Sequence, residues 1–162
     1  MVPWAQSRVV DSRWPARSSY AGAPEKTEQA WRGDYFTAGD MGYLDDDGYL
    51  FLTDRKIDMI ISGGANVYPA EVESVLFMHP AVADVAVFGV PDPEWGERVH
   101  AVIEACSPVT GSDLMEFCRG RLAHYKCPTS AEITESLPRD PNGKVRKRLL
   151  RDKYWVGSEK VI

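Results

Sequence analysis

The sequence has no long hydrophobic run and few cysteines, and each absence excludes a class of protein. No apolar stretch approaches the roughly 20 residues that cross a membrane, and the N-terminus carries no apolar stretch typical of a secretory signal. The three cysteines, Cys106, Cys118 and Cys127, are odd in number and show no CxxC spacing. We therefore expect neither a disulfide framework nor a zinc site, and we expect a reducing, cytoplasmic setting.

The chain also lacks an excess of positive charge. Its 19 Lys and Arg residues are outnumbered by 24 Asp and Glu residues, which gives a formal net charge of -5. Proteins whose main partner is nucleic acid draw much of their affinity from basic residues that neutralise phosphates. We therefore do not expect nucleic acid as a partner, although the basic residues at 144–151 leave a nonspecific interaction open.

Metal-ligating patterns are absent as well. His79, His100 and His124 have neither metal-like spacing nor an evident Cys or Ser partner, so we interpret them as structural. The three aspartates at 45–47 lack the rest of a calcium loop and indicate a turn. No metal site is expected.

What is present begins with an arginine-rich segment at residues 1–19. Three arginines stand against one acidic residue, a composition similar to that of a transit peptide. However, Pro3 and Pro15 interrupt any amphipathic helix. We therefore expect a disordered tail.

The next stretch predicts a short helix and a β-hairpin. Pro24 followed by an acidic residue is typical of a first helical turn, so we expect a helix to about Trp31. Two β-runs, Met41 to Leu44 and Tyr49 to Thr53, flank the sequence Asp-Asp-Gly at 46–48. Glycine readily takes the positive φ that such a hairpin turn requires.

The remainder alternates strands and helices, which predicts an α+β fold with a small β-sheet flanked by helices and preceded by the hairpin. The expected elements are a strand at 59–62, a Gly-rich loop at 63–66, a helix at 69–80 with Val72, Val75, Leu76 and Met78 on its apolar side, strands at 82–90 and 97–106 in one sheet, a helix at 114–124 capped by Ser112 or Thr110 and ended by Pro128, a strand at 131–136, a turn at 138–143 and a basic helix at 145–155.

Three blocks of sequence follow one another in a recognisable order: YFTAGDMGYLDDDGYLFLTDRKIDMIISGGANVYPAEVESVL, VFGVPDPEWGE and LPRDPNGKVRKRLLR. Together they resemble the C-terminal part of the adenylate-forming superfamily, from about Tyr20 to Trp155. This superfamily comprises acyl-CoA synthetases, adenylation domains of peptide synthetases and luciferases. Its members join a carboxylate to AMP from ATP and then pass the acyl group to a thiol, usually that of coenzyme A.

The resemblance implies a small mobile domain that closes over a larger one in two orientations, one for each half-reaction. The larger domain normally carries a Gly-rich phosphate loop, and none precedes Tyr20 here. We therefore expect residues 20–55 to be the tail of that domain, residues 56–162 to be the mobile domain, and the large domain to be a missing partner. The chain should be inactive alone, with residues 1–53 poorly ordered or forming a dimer through an exposed strand edge.

Lys144 matches the lysine of the family that stabilises adenylation. Attack of a carboxylate on the α-phosphate builds negative charge on phosphoryl oxygens, and a preorganised cation stabilises that charge. The preceding Asn142-Gly143 lets the backbone turn sharply. From the residues alone, Lys144 would be a solvated lysine at the start of a helix.

Two further residues match the nucleotide site of the family. Asp40 resembles the aspartate that accepts hydrogen bonds from both ribose hydroxyls of ATP, and Arg55 resembles the arginine that reaches the nucleotide and borders the hinge. A turn aspartate and a surface salt bridge are the alternatives. Mg²⁺ is expected with ATP but not as a ligand of this chain. The hinge falls at Lys56, Ile57 and Asp58, where Ile57 replaces the usual Asp or Lys.

The thiol half-reaction involves a different set of residues. Gly63 and Gly64 resemble the loop that lines the tunnel for the pantetheine arm of coenzyme A, where close backbone approach requires glycine. Trp95 matches an aromatic residue that holds coenzyme A in some ligases, and Tyr125 is a second candidate. A tight turn and ordinary packing are the alternatives.

These matches favour an AMP-forming acyl-CoA synthetase that acts on a small-molecule carboxylate. An adenylation domain of a peptide synthetase is the nearest alternative. A non-catalytic binding or docking domain is the alternative from another class.

Overall fold

A computed structural model of the protein describes residues 8–13 and 18–156. The chain divides into two compact units, the first ending at Ile57 and the second beginning at Asp58. Across the described residues no helix is both long and apolar enough to cross a membrane.

The first unit is a four-stranded antiparallel sheet with one helix. Its elements are β1 (Arg8–Arg13), α1 (Pro24–Ala30), β2 (Trp31–Arg32), β3 (Tyr35–Leu44) and β4 (Leu50–Arg55). Strand β3 is central, because β1 pairs along one edge while β2 and β4 pair along the other. The predicted helix and hairpin are confirmed.

The hairpin turn between β3 and β4 is built by one aspartate. Oδ1 of Asp45 accepts hydrogen bonds from the N–H groups of Asp47 at 3.1 Å and Tyr49 at 2.8 Å, and Gly48 has φ of 84°. An aspartate that bonds the backbone two residues ahead mimics a turn, and glycine takes the left-handed position without strain.

One prediction for the N-terminal region is wrong, and another stays a prediction. Part of the expected disordered tail, Arg8–Arg13, is a strand, and residues 1–7 and 14–17 lie outside the described residues. The expected dimer through an exposed strand edge stays a prediction, since β4 pairs with no described strand other than β3. Strand β1 pairs with one edge of β3. The pairing joins residues about 30 apart, such as Val9 with Met41, and local sequence patterns carry no signal for it.

The second unit contains a five-stranded mixed sheet with helices on both faces. Its elements are β5 (Ile60–Ser62), β6 (Ala65–Val67), α2 (Pro69–Leu76), β7 (Val82–Asp92), β8 (Gly96–Ala105), α3 (Gly111–Arg119), β9 (Ser130–Thr134) and α4 (Lys147–Arg151), with 3-10 turns at Lys56–Asp58 and His124–Lys126. The strand order is β6-β5-β8-β7, and β9 lies parallel to β8. The α+β class is confirmed.

Alternation along the valine-rich strand β7 explains the two-sided core. Val85 and Val87 join the cluster that α2 and α3 cover, whereas Ala86, Phe88 and Val90 join a second cluster with Leu137 and α4. Because successive side chains of a strand point to opposite faces, an unbroken apolar run requires cover on both.

Several element boundaries differ from expectation. Helix α2 ends at Leu76, because the residue before Pro80 is biased away from helical geometry, so Met78 lies past the helix and is 65% exposed. Helix α3 ends at Arg119 beside Gly120, not at Pro128, and its cap is Thr110, which forms a capping box with Asp113.

The loop predicted at 63–66 also proved to be structured. Strands β5 and β6 form a two-residue hairpin around Gly63 and Gly64, whose φ values of 56° and 80° are typical of a type I′ turn. The last helix is confined to Lys147–Arg151, shorter than the predicted 145–155.

Candidate active-site surfaces

Lys144 lies at the end of a tight turn closed by its own backbone and by Asp140. The Asp140 carboxylate accepts the N–H groups of Asn142 at 2.8 Å and Lys144 at 3.0 Å, and the Asp140 N–H donates to the Lys144 carbonyl at 2.9 Å. Gly143 takes φ of 83°. Position 144 is exposed, and within the described part of the chain no ion pair or side-chain hydrogen bond engages its ammonium group. The cation is therefore presented to solvent on a fixed backbone.

A cluster around Arg139 connects this turn to the sheet. The guanidinium donates to the Gly143 carbonyl at 3.1 Å and pairs with Asp84 of β7 and, at 3.4 Å, with Glu104 of β8. Hydrogen bonding to Asp84 is the main cause that raises the pKa of Arg139 further above its usual range. The same Glu104 carboxylate accepts the Leu137 N–H at 2.9 Å. The start of the turn is thus bonded to two neighbouring strands.

Asp40 and Arg55 are brought together in the first unit. They are directly opposite each other on β3 and β4, and Nε of Arg55 lies 3.3 Å from Oδ1 of Asp40. The arginine side chain is 60% exposed and that of the aspartate 29%. This cross-strand pair offers a carboxylate and a guanidinium side by side, a set that can bind a diol and an anionic group.

The residues predicted as the hinge, Lys56 to Asp58, form a 3-10 turn. The boundary between the two compact units falls after Ile57, inside this segment. The hinge assignment itself stays a prediction.

Gly63 and Trp95 are in direct contact in the second unit. A Cβ added to Gly63 would lie 2.3 Å from Cε3 of Trp95, and the Gly63 N–H donates to the Trp95 carbonyl at 2.9 Å. The indole remains 53% exposed. Gly64 is next to this contact and has open space where a side chain would be. Bare backbone and an exposed aromatic ring therefore form one surface.

Two carboxylates hold this surface in place. Oδ1 of Asp92 accepts the N–H groups of Glu94 and Trp95, both at 3.0 Å, and these bonds lower the pKa of Asp92. Glu97 is buried beneath the hairpin, where its Oε2 accepts the Ile61 N–H at 3.0 Å and fills the space over Gly89.

Tyr125 is separate from this contact. It lies in the 3-10 turn His124–Lys126, is 50% exposed, and has the Lys126 ammonium 5.8 Å from its ring centroid. Lys126 pairs with Glu71 at the start of α2 at 2.7 Å. Among the described residues no ring contact joins Tyr125 to Trp95.

A buried histidine network was not anticipated from the sequence. Nδ1 of His100 lies 2.7 Å from Oγ of Ser130, Nε2 lies 3.1 Å from the Tyr154 hydroxyl, and that hydroxyl bonds Glu132. Burial lowers the pKa of His100. The structural role predicted for this histidine fits these contacts.

The remaining titratable groups of the described residues form neither a metal centre nor a disulfide. No cluster of three or more His, Cys, Asp or Glu in the described ranges could hold a metal ion. The cysteines are free, and burial raises the pKa of the Cys118 thiol to about 11. Arg139 and Glu97 were missed in the sequence, where the only signal was their place inside the quoted blocks.

Comparison with known proteins places these surfaces in context. Residues 71–144 match the family described as AMP-binding enzyme C-terminal domain. The matched range ends at Lys144, the residue at the end of the exposed turn.

Several similar curated proteins are CoA ligases. The chain is 47% identical over 136 residues to the long-chain-fatty-acid–CoA ligase FadD13 of Mycobacterium tuberculosis, covering 83% of this chain and 27% of that protein. It is 42% identical over 150 residues to the 2-succinylbenzoate–CoA ligase of Bacillus subtilis, covering 93% of this chain and 31% of that protein. The chain thus spans less than a third of the length of either relative.

Two solved structures agree with this likeness. The o-succinylbenzoate CoA synthetase from Bacillus subtilis, in complex with the acyl-adenylate intermediate OSB-AMP, superposes with a TM-score of 0.76 at 42% identity, covering 83% of this chain and 28% of that one. A Mycobacterium tuberculosis fatty acyl CoA synthetase gives a TM-score of 0.66 at 45% identity, covering 86% of this chain and 28% of that one.

Proposed function

The chain belongs to the adenylate-forming superfamily, as a C-terminal domain of the AMP-binding enzymes, and from this we propose that it serves an AMP-forming acid–thiol ligase. In that role it supplies the cation for adenylation and one wall of the coenzyme A tunnel. The observation that carries the proposal is the exposed Lys144 ammonium, held on a turn whose backbone is closed by Asp140.

The first half-reaction forms acyl-AMP. A carboxylate oxygen attacks the α-phosphorus of ATP, the bond to the pyrophosphate oxygen breaks, and negative charge grows on the phosphoryl oxygens. The Lys144 ammonium can stabilise that charge by its own positive charge. It is available for this role because it pairs with no carboxylate in the described part of the chain. Mg²⁺ accompanies ATP as a counter-charge, and no residue of this chain is assigned to it.

We assign the nucleotide end of the site to Asp40 and Arg55. One carboxylate oxygen of Asp40 is 3.3 Å from the guanidinium, so the pair is already oriented before a nucleotide binds. The second oxygen is available for the ribose hydroxyls, since a carboxylate accepts several hydrogen bonds.

The second half-reaction forms the thioester. The thiol sulfur attacks the acyl carbon, the bond to the AMP oxygen breaks, and AMP leaves. We assign the wall of the thiol tunnel to Gly63, Gly64 and Trp95, because bare backbone and an exposed ring permit close approach of the pantetheine arm. Tyr125 is assigned to coenzyme A as a separate contact, supported by its exposed ring.

Alternation between the two half-reactions requires a pivot, which we place at residues 56–58. Support comes from the boundary of the two compact units after Ile57. A few residues at the end of an element are enough to absorb the change in φ and ψ.

The partner implied by this role is the large adenylating domain. Apolar side chains on the β3–β4 hairpin are exposed, namely Leu44, Tyr49, Leu50, Phe51 and Leu52. A surface of this kind marks an interface, and we assign it to that domain rather than to a second copy.

A reducing, cytoplasmic setting agrees with the three free thiols.

A chimaeric enzyme tests the proposal. The matched part of the Bacillus subtilis 2-succinylbenzoate–CoA ligase is replaced by this chain, and pyrophosphate release that depends on 2-succinylbenzoate is followed. Activity that disappears in Lys144→Ala is the expected result. A chimaera that binds coenzyme A without releasing pyrophosphate would instead favour the non-catalytic binding domain.

A further inference from the structure

Two features of the turn that carries Lys144 must be fixed, namely its shape and its direction relative to the sheet. Its shape is set by local bonds, those of the Asp140 carboxylate to the following N–H groups and an antiparallel bridge between Arg139 and Val145. Its direction relative to the sheet needs contacts that leave the turn. A lysine that acts on a phosphoryl group requires both, because misplacement by about 1 Å can cost roughly 10²-fold in rate.

Arg139 is where the two sets of contacts meet. Nη1 donates to the Gly143 carbonyl inside the turn, one residue before Lys144. Nη2 donates to Asp84 on β7 and to Glu104 on β8. One planar group therefore bonds the tip of the turn and two adjacent strands of the sheet at once.

The chemistry of arginine suits this position better than that of lysine. A guanidinium presents several N–H donors in a fixed plane, whereas an ammonium is a compact point charge. Both carboxylate partners are half-buried or better, with side-chain exposures of 21% for Asp84 and 25% for Glu104. The donors facing the turn and the donors facing the sheet cannot move independently.

Resting on the function proposed above, we propose that Arg139 is a positioning residue that aims Lys144 at the reacting phosphoryl group. It touches neither nucleotide nor acid and acts through the Gly143 carbonyl. Its influence is confined to the adenylation half-reaction, since the Gly63–Trp95 surface is held by its own carboxylates, Asp92 and Glu97.

The test uses Arg139→Lys in the chimaeric enzyme. The lysine keeps a charge for Asp84 and Glu104 but cannot reach the Gly143 carbonyl in the same plane. Loss of aim should lower kcat for pyrophosphate release about 10-fold to 100-fold. The KM for ATP and the rate of thioester formation from preformed acyl-AMP should stay unchanged.

A matched control separates an effect on the orientation of Lys144 from an effect on the stability of the domain. Lys126→Ala breaks another pair between distant parts of the domain, Lys126 with Glu71, and should leave adenylation unchanged. Equal losses in both half-reactions of Arg139→Lys, or full adenylation, would overturn the positioning role.

A second readout does not depend on the proposed function. In the 162-residue chain, amide hydrogen exchange at Gly143 and Lys144 should be faster in Arg139→Lys than in the wild type, with the amides of α2 unchanged. Unaltered exchange at the turn would refute the contact role of Arg139. A parent chimaera without Lys144-dependent pyrophosphate release would reject the proposed function. The hydrogen-exchange measurement would then test by itself whether Arg139 fixes the turn.

Discussion

Replacement of Lys144 by alanine is the sharpest test of the adenylation site. The side chain is exposed, and among the described residues its ammonium has no ion pair. Removing it should therefore change the free energy of unfolding by no more than about 0.5 kcal/mol, as for other surface substitutions. The folded domain should keep its thermal midpoint.

The catalytic effect should be far larger than the effect on stability. Loss of one preorganised donor to a developing oxyanion costs about 2.7–4 kcal/mol, or roughly 10²–10³ in kcat. The backbone of the turn survives the change, because the Asp140 carboxylate bonds main-chain N–H groups and not the lysine side chain. The deficit therefore belongs to the missing charge.

The assay measures each half-reaction of the chimaeric enzyme by itself. Pyrophosphate release reports adenylation, and thioester formation from preformed acyl-AMP reports the second step, which should be unaffected by Lys144→Ala. Lys153→Ala, which removes another exposed lysine near the C-terminus, serves as the control. Undiminished pyrophosphate release in Lys144→Ala, at unchanged stability, would refute the reasoning.

Three further substitutions probe other parts of the molecule. Gly63→Ala puts a side chain at a positive φ, which costs about 1–2 kcal/mol, and pushes Trp95 aside. The midpoint of urea unfolding should therefore fall, and thioester formation should slow more than adenylation. Asp40→Asn removes the charge opposite Arg55 and should raise the KM for ATP about 10-fold in steady-state kinetics. For His100→Gln, the stability advantage of the wild type should shrink as pH falls from about 7.5 to 5.5.

The pH prediction follows from the burial of His100. Burial lowers its pKa below the ordinary 6.5, with Glu132 opposing the shift and Arg98 adding to it. The unfolded chain therefore takes up the proton first, and stability present above about pH 6.5 is lost as pH falls towards the folded pKa. Urea unfolding of both variants at the two pH values measures the difference.

Each of these predictions has an outcome that contradicts it. A constant difference between His100→Gln and wild type across pH would mean that the imidazole does not titrate in this window. Equal slowing of both half-reactions by Gly63→Ala would remove the assignment of the glycine hairpin to the thiol step. An unchanged KM in Asp40→Asn would separate the Asp40–Arg55 pair from the nucleotide.

Strong local patterns were sufficient to predict several elements of the fold. The Asp-Asp-Gly turn at 46–48, the valine-rich strands and the Pro69 helix start were identified from residue type and spacing, because turns, alternation and capping are set by near neighbours. Prediction failed for β1, since an isolated Arg-rich segment shows no sign of the distant strand that pairs with it.

The residues of the candidate site also fall into two groups, those that the sequence indicated and those that it did not. Family motifs alone indicated Lys144, Asp40 and the glycine pair, each through a short block of sequence. Neither Arg139 nor Glu97 was distinguished, because the importance of each depends on partners 35 or more residues away.

The sequence by itself determined the local chemistry: a lysine after Asn-Gly, two adjacent glycines and a hairpin with an aspartate and an arginine on facing strands. Tertiary structure alone decided the orientation of these groups. Asp84 and Glu104 reach Arg139 only because β7 and β8 pair antiparallel beneath the turn. Direction in space is a property of long-range packing, and local propensity carries no information about it.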